Sequence, residues 1–248
     1  MSKSLKINVV KKSYPNTKGN ILRNCTLKVR PESFVTILGS SGCGKSTLLR
    51  MVAGIDNIYQ GEIYIGDRKV KEPSKDCSIV FQELRLFPWM TVKENVLFAL
   101  QKGESVDEEV IMKILAFMDL ADFTDLYPGS LSGGMSQKLA LARAFINIPD
   151  LLLLDEPFAS LDYITKMRLQ NELVEDLDKL KTTVLMVTHD IEEAVFLSDK
   201  VMVMSRCPSK IIKVFDVNLP KPRNRASQEF LVIYQKVLDY MLKVLQIK

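Results

Sequence analysis

Eight residues constrain this chain more than any others: Gly39-Ser40-Ser41-Gly42-Cys43-Gly44-Lys45-Ser46. They match G-x-x-x-x-G-K-[ST], directly after the apolar run Phe34 to Leu38 and just before a helical pattern from Ser46 to Ala53 that ends at Gly54. Between a strand and a helix, such a loop turns successive backbone N–H groups inward around phosphate oxygens. The helix N-terminus that follows adds positive potential. Lys45 can reach the β and γ phosphates, and the Ser46 hydroxyl, followed by Thr47, can ligate magnesium. The loop reads as a nucleoside-triphosphate site.

The rest of the chain must supply a sheet for that loop. Short apolar, β-rich runs recur at 63–65, 78–81, 151–154, 184–187 and 201–204, with helical patterns between several of them. Such alternation predicts an α/β fold with a mostly parallel sheet covered on both faces. The first thirty residues alternate apolar and polar at Leu5, Ile7 and Val9 and again at Leu27 and Val29, as half-buried strands do. Turn signals lie between them at Tyr14-Pro15-Asn16 and Lys18-Gly19-Asn20. From about 91 to 147 the pattern is almost wholly helical and reads as an inserted subdomain. Capping-box patterns open it at Thr91-x-x-Glu94 and recur at Ser105-x-x-Glu108. A basic, proline-containing link, Leu219 to Arg225, precedes a final helix from about Ser227, with Phe230, Tyr234, Val237, Met241 and Val244 on one face.

Composition excludes several classes. With 47% hydrophobic and 26% charged residues, the chain is neither collagen-like nor disordered, and no apolar run approaches the ~18–20 residues of a membrane span. The N-terminus lacks the apolar stretch of a secretory signal, so a cytosolic chain is expected. Four scattered cysteines without a CxxC pair fit reduced thiols and argue against zinc. The net charge of +4 suits anionic ligands or a membrane surface, and is too small to argue for nucleic acid.

Two further sites carry chemistry. Leu151 to Leu154 ends in Asp155-Glu156, at a strand end where an open α/β sheet places its ligand. Asp155 would hold Mg²⁺ through water and Glu156 would accept a proton from an attacking water, an effect worth ~10²–10⁴-fold. His189, the only histidine, follows the buried run Val184 to Thr188. An isolated histidine is more often structural, but at a strand end before a helix it can hydrogen-bond a γ-phosphate.

With these pieces placed, the chain resembles the ATP-binding subunit of an ABC transporter over nearly its full length. Leu131-Ser132-Gly133-Gly134-Met135 is similar to the signature that opens a helix of the inserted subdomain. In the family this helix N-terminus approaches ATP held by the other subunit. The resemblance implies a P-loop NTPase fold: a RecA-like parallel-sheet core, an N-terminal antiparallel β-subdomain and the helical insertion. The ATPase domain would occupy 1–226, with the helix of 227–248 packed on it. The resemblance also implies a head-to-tail homodimer around two ATP molecules. Tyr14 resembles the aromatic that stacks on adenine, a turn tyrosine without a ligand being the alternative. Gln82 resembles the glutamine that touches Mg²⁺ and the attacking water. Ser160-Leu161-Asp162 resembles the turn that crosses the dimer interface.

A closer branch is indicated by Gln82 to Trp89, by Thr91-Val92-x-x-Asn95-Val96, by Met135 and by the tail from Val203 to Arg223. These resemble the ATPases of nitrate, sulfonate and taurine importers. That implies two transmembrane permease subunits, an extracytoplasmic solute-binding protein met indirectly, and a peripheral position on the cytoplasmic face of the cell membrane. Ser136 and Lys138 depart from the branch, which usually has arginines there. Cys43 makes sensitivity to thiol reagents an expectation. Trp89 is either core between subdomains or exposed for the permease.

Other classes fit less well. A soluble, non-transport ATPase of an assembly complex would match the length, but the Leu86 to Trp89 segment and the tail favour an importer. The chain has no room for the long coiled coil of repair ATPases. A GTPase would need an Asn-Lys-x-Asp segment, which is absent.

Overall fold

The computed structural model describes residues 2–15, 19–100 and 108–245. The Ser105 half of the second capping box, and part of the turn after Tyr14, lie outside these residues. Two sheets form. β1 (Leu5–Lys12), β2 (Leu22–Val29), β4 (Gln60–Ile65) and β5 (Arg68–Lys69) make a four-stranded antiparallel sheet in the order β2-β1-β4-β5. The larger sheet has six strands: β3 (Phe34–Leu38), β6 (Cys77–Val80), β7 (Leu151–Asp155), β8 (Thr183–Thr188), β9 (Lys200–Met204) and β10 (Ile211–Asp216). Their order is β10-β9-β3-β8-β7-β6, parallel throughout except where β10 turns back on β9.

Strands β3, β7 and β8 are buried at every residue, which is why they read as continuous apolar runs. Successive side chains divide between two cores. Val35, Ile37, Leu151, Leu153, Leu185 and Val187 face the antiparallel sheet and α1 (Lys45–Val52). Phe34, Leu38, Leu152, Leu154, Val184 and Met186 face the remaining helices. Those helices are α2 (Val92–Leu97), α3 (Glu108–Phe117), α4 (Gly133–Phe145), α5 (Tyr163–Leu180), α6 (Ile191–Leu197) and α7 (Gln228–Leu245).

Among the described residues, the region 91–147 holds α2, α3 and α4, with two short 3-10 turns between α3 and α4. Both halves of the Thr91 capping box form. Glu94 N–H donates to Thr91 Oγ1 at 3.2 Å, and Thr91 N–H donates to Glu94 Oε2 at 2.7 Å. Helix α7 buries Phe230, Val237 and Met241 in the core it shares with α6.

The basic link is stitched down. The Arg223 guanidinium, only 8% exposed, donates to the carbonyls of Val195, Phe196 and Ser198 at 2.8 Å each and to Val217 at 3.1 Å. It therefore takes up orphan carbonyls at the C-terminal end of α6. Arg225 stacks on Phe196 and donates to Glu192 at 2.8 Å. Among the described residues, no helix is long and apolar enough to cross a membrane.

Candidate functional site

Strand order builds the site. Because β3, β8, β7 and β6 lie side by side and parallel, the segments leaving their C-terminal ends lie side by side too. These segments carry, in that order, the glycine-rich loop, His189, Asp155-Glu156 and Gln82. Gly39 N–H donates to Thr188 O at 3.4 Å and Glu156 N–H to Val187 O at 2.9 Å, so the loop and the acidic pair both rest on β8.

The phosphate loop needs its glycines for two separate reasons. Gly44, at φ 99°, adopts a left-handed conformation, and a Cβ there would meet Ile21 Cγ2 at 2.7 Å. Gly39 has ordinary φ, but a Cβ would lie 2.9 Å from Cys43 Sγ. Gly42 is left-handed as well, at φ 75°. Gly39 and Cys43 are buried, Ser40 is half-buried, and Ser41 and Gly42 are exposed.

Lys45 lies almost wholly buried. Its ammonium donates to Gly39 O at 2.9 Å and Ser40 O at 3.2 Å, and lies 3.4 Å from Glu156 Oε1. The Ser46 hydroxyl donates to Asp155 Oδ1 at 2.9 Å. Burial pushes the Asp155 carboxyl above the usual range, and the Glu156 charge adds to this, while the Ser46 hydroxyl opposes it. Glu156 has φ 47°, a sparsely populated conformation for a residue with a side chain. From that turn its two oxygens reach Lys45 on one side and His189 Nδ1, at 2.9 Å, on the other. Lys45, Ser46, Asp155, Glu156 and His189 thus form one contiguous polar set.

Gln82 is exposed two residues beyond β6 and hydrogen-bonds none of that set. Tyr14 stands beside the set, not in it. Its hydroxyl donates to Asp56 Oδ2 at 2.8 Å and shares a hydrogen bond with the Thr47 side chain, which ties it to α1. One ring face carries the Lys12 ammonium at 4.4 Å. Lys12 is 2% exposed and pairs with Asp56 at 2.5 Å. No local pattern announces that lysine, which reads in the sequence as one more polar position of a strand.

Ser132 and Asp162 each cap a helix. Met135 N–H donates to Ser132 Oγ at 3.2 Å, and Ile164 and Thr165 N–H donate to Asp162 Oδ1 at 3.1 Å each. Neither bonds the Lys45–Glu156 set, and both are exposed. Of the two glycines after Ser132, Gly134 serves packing and Gly133 is exposed. A Cβ on Gly134 would lie 2.9 Å from Thr165 Cγ2 of α5, and one on Gly133 would lie 3.4 Å from Leu161. Lys138 lines the same cleft as Ser132 and Gly134. It pairs with Asp119 at 2.7 Å and Glu172 at 2.9 Å, joining α4 to α5 and to the turn after α3.

Two sequence expectations resolve differently. Cys43 is 2% exposed and burial pushes its thiol up, so the expected thiol sensitivity at this position is corrected: little thiolate is available. Trp89 is 70% exposed, which removes the core alternative. Its loop is held by buried Asn95, whose amide donates to Phe87 O, Met90 O and Thr91 O at 3.0–3.1 Å and accepts from Phe87 N–H at 2.9 Å. Beside it a cleft of about 410 Å³ is lined by Phe81, Leu84, Arg85, Phe87 and Arg143 among others.

Comparison with known proteins agrees with this geometry. The family described as "ABC transporter" matches residues 22–159. An aliphatic sulfonates import ATP-binding protein of Bacillus cereus is 43% identical, over 95% of each chain. The protein of the same name from Bacillus subtilis (strain 168) is 41% identical over 90% of this chain and 87% of its own. An uncharacterized ABC transporter ATP-binding protein of Methanocaldococcus jannaschii is 44% identical over 89% of this chain and 84% of its own. A dimeric ATP-binding cassette in a post-hydrolysis state, bound to ADP and Pi, superposes with a TM-score of 0.75 at 29% identity, covering 87% of this chain and all of the other. The loop, the sheet that carries it and these likenesses agree: the chain belongs to the ABC transporter family, as one of its ATP-binding, ATP-hydrolysing subunits.

Proposed function

We propose that this chain energises uptake of a small sulfonate-type anion or organic solute through separate permease subunits, working as a head-to-tail homodimer on the cytoplasmic face of the membrane. The names of the relatives support the solute class. An extracytoplasmic solute-binding protein would deliver the solute and contact this subunit only through the permease. The ATPase domain is taken as 1–226, with the last helix packed on it. The exposed Trp89, on a loop fixed by Asn95 beside the 410 Å³ cleft, supports docking of a permease segment there.

One observation carries the hydrolytic reading: Glu156 is held between Lys45 and His189, next to the Ser46–Asp155 pair. Backbone N–H groups of the loop from Gly39 to Gly44 would wrap the phosphates, with Ser46 and Thr47 at their inner end. Lys45 would exchange its carbonyl partners for the β and γ phosphates. Hard oxygen donors from Ser46 and Asp155, with Gln82 approaching from β6, suit Mg²⁺, which usually keeps several waters and needs few protein ligands. Bound there, Mg²⁺ would neutralise phosphate charge. Glu156 would accept the proton of the attacking water, and His189 would hold that carboxylate and contact the γ-phosphate. Tyr14 would stack on adenine. Ser132, Gly133, Gly134 and Asp162 would meet the partner's ATP.

Glu156→Gln keeps shape and loses the basic oxygen. Hydrolysis should fall by ~10²–10⁴-fold. Trapped ATP should shift the chain from monomer to dimer in light scattering. Unchanged turnover would remove Glu156 from the base role.

A further inference from the structure

We propose that Lys166 is a positioning residue for hydrolysis: it fixes the backbone on both sides of His189, so that the imidazole stays against Glu156. The inference rests on the reading of His189 and Glu156 given above.

The imidazole has little to hold it. Its side chain is 55% exposed and its hydrogen bond goes to Glu156, so its place is set by the backbone that carries it. That backbone is locked from both directions. Before it, the Thr188 hydroxyl donates to Glu193 Oε2 at 2.6 Å and accepts from Asp190 N–H at 3.1 Å. After it, Asp190 Oδ1 accepts from Glu193 N–H at 3.1 Å, capping α6.

Two carboxylates therefore follow the histidine within one short turn, one of them bonded to the residue before it, and the Glu193 side chain is 4% exposed. Left alone they would repel each other, and a buried charge without a partner is strongly disfavoured. Lys166 answers both. Its ammonium lies 2.6 Å from Asp190 Oδ2 and 2.6 Å from Glu193 Oε1.

The lysine comes from a different element, and its own position is fixed. It sits one turn into α5, its N–H donating to Asp162 O at 2.9 Å, directly after the cap that Asp162 forms. A single cation therefore ties the start of α5 to the start of α6 with His189 between. Displacement of a reacting group by about 1 Å can cost ~10²-fold in rate, so loosening this tie should reach catalysis although Lys166 touches no reacting atom.

The test uses the full chain. Lys166→Met should lower kcat by roughly tenfold to a hundredfold and leave the KM for ATP within about twofold. Lys166→Arg should restore most of the rate. Because His189 is the sole histidine, one imidazole signal in the NMR spectrum reports it, and that signal should move in Lys166→Met and return in Lys166→Arg. If Lys166→Met fails to fold, because Glu193 is stranded, Lys166→Met with Glu193→Gln removes that charge and should show the same lowered kcat and shifted signal. His189→Ala separates the two readings. If it loses hydrolysis while the Lys166 variants keep kcat and the imidazole signal, the positioning role is overturned and the histidine's role stands. If His189→Ala hydrolyses ATP normally, the histidine's role falls and the positioning role with it.

Discussion

Helices α1 and α4, the two whose N-termini are proposed above to meet phosphate, are finished in opposite ways. The start of α1 is capped by Gly44 with no side-chain hydrogen bond, which leaves its N–H groups free to turn inward. Around it Lys45 and Asp155 are buried and Ser46 is half-buried, Lys45 paired with Glu156 and Ser46 hydrogen-bonded to Asp155. The start of α4 is exposed, and Ser132 already satisfies one of its own N–H groups. The first end is complete within one chain. The second bonds no member of the Lys45–Glu156 set and stays exposed, as the sandwich dimer proposed above would require.

The largest test of this contrast compares Lys45→Met with Ser132→Ala. Removing the buried cation should abolish ATP binding by the monomer, as titration calorimetry would record. Removing the signature hydroxyl should leave monomer binding intact, cost about 1 kcal/mol of stability through the lost cap, and weaken ATP-driven dimer formation. Equal loss of monomer binding in both variants would break the distinction. A smaller effect is expected from Gly134→Ala. The added methyl would press on Thr165 Cγ2, so thermal unfolding should show a loss of about 1–3 kcal/mol, relieved by Thr165→Ser. Additive losses would mean that the two residues do not press on each other. The smallest concerns thiols. Iodoacetamide followed by mass spectrometry should label exposed Cys207 first and leave Cys43 unmodified, with ATP hydrolysis little changed. Early labelling of Cys43 would show that the loop opens.

How much could be read in advance follows from how local each feature is. The glycine-rich loop, the acidic pair and the Thr91 cap are contiguous words whose chemistry needs no distant partner. The buried strands of the large sheet were legible for the same reason. The edge strand β10 was not, since half of its residues are exposed and its apolar signal is weak. Lys12 with Asp56, Lys166 with Asp190, and Arg223 with α6 were invisible too. Each pairs groups 24 to 44 residues apart, through charges that read as solvated surface until the fold brings them together. For Tyr14 the sequence offered the aromatic but not the hydroxyl's partners, which the fold supplies from α1 and the segment after it.

Arg223 bears on how separable the parts of this protein are. The family match ends at residue 159, and a tail beginning near 219 looks like an appendage that relatives could exchange freely. Yet its guanidinium closes the helix that begins two residues after His189. A tail borrowed from another subunit would have to bring an equivalent cation at that depth, or leave the carbonyls of Val195, Phe196 and Ser198, at the end of α6, without it. Exchange between relatives is therefore constrained at a residue some thirty positions past His189, where the tail is part of what holds the helix after that histidine.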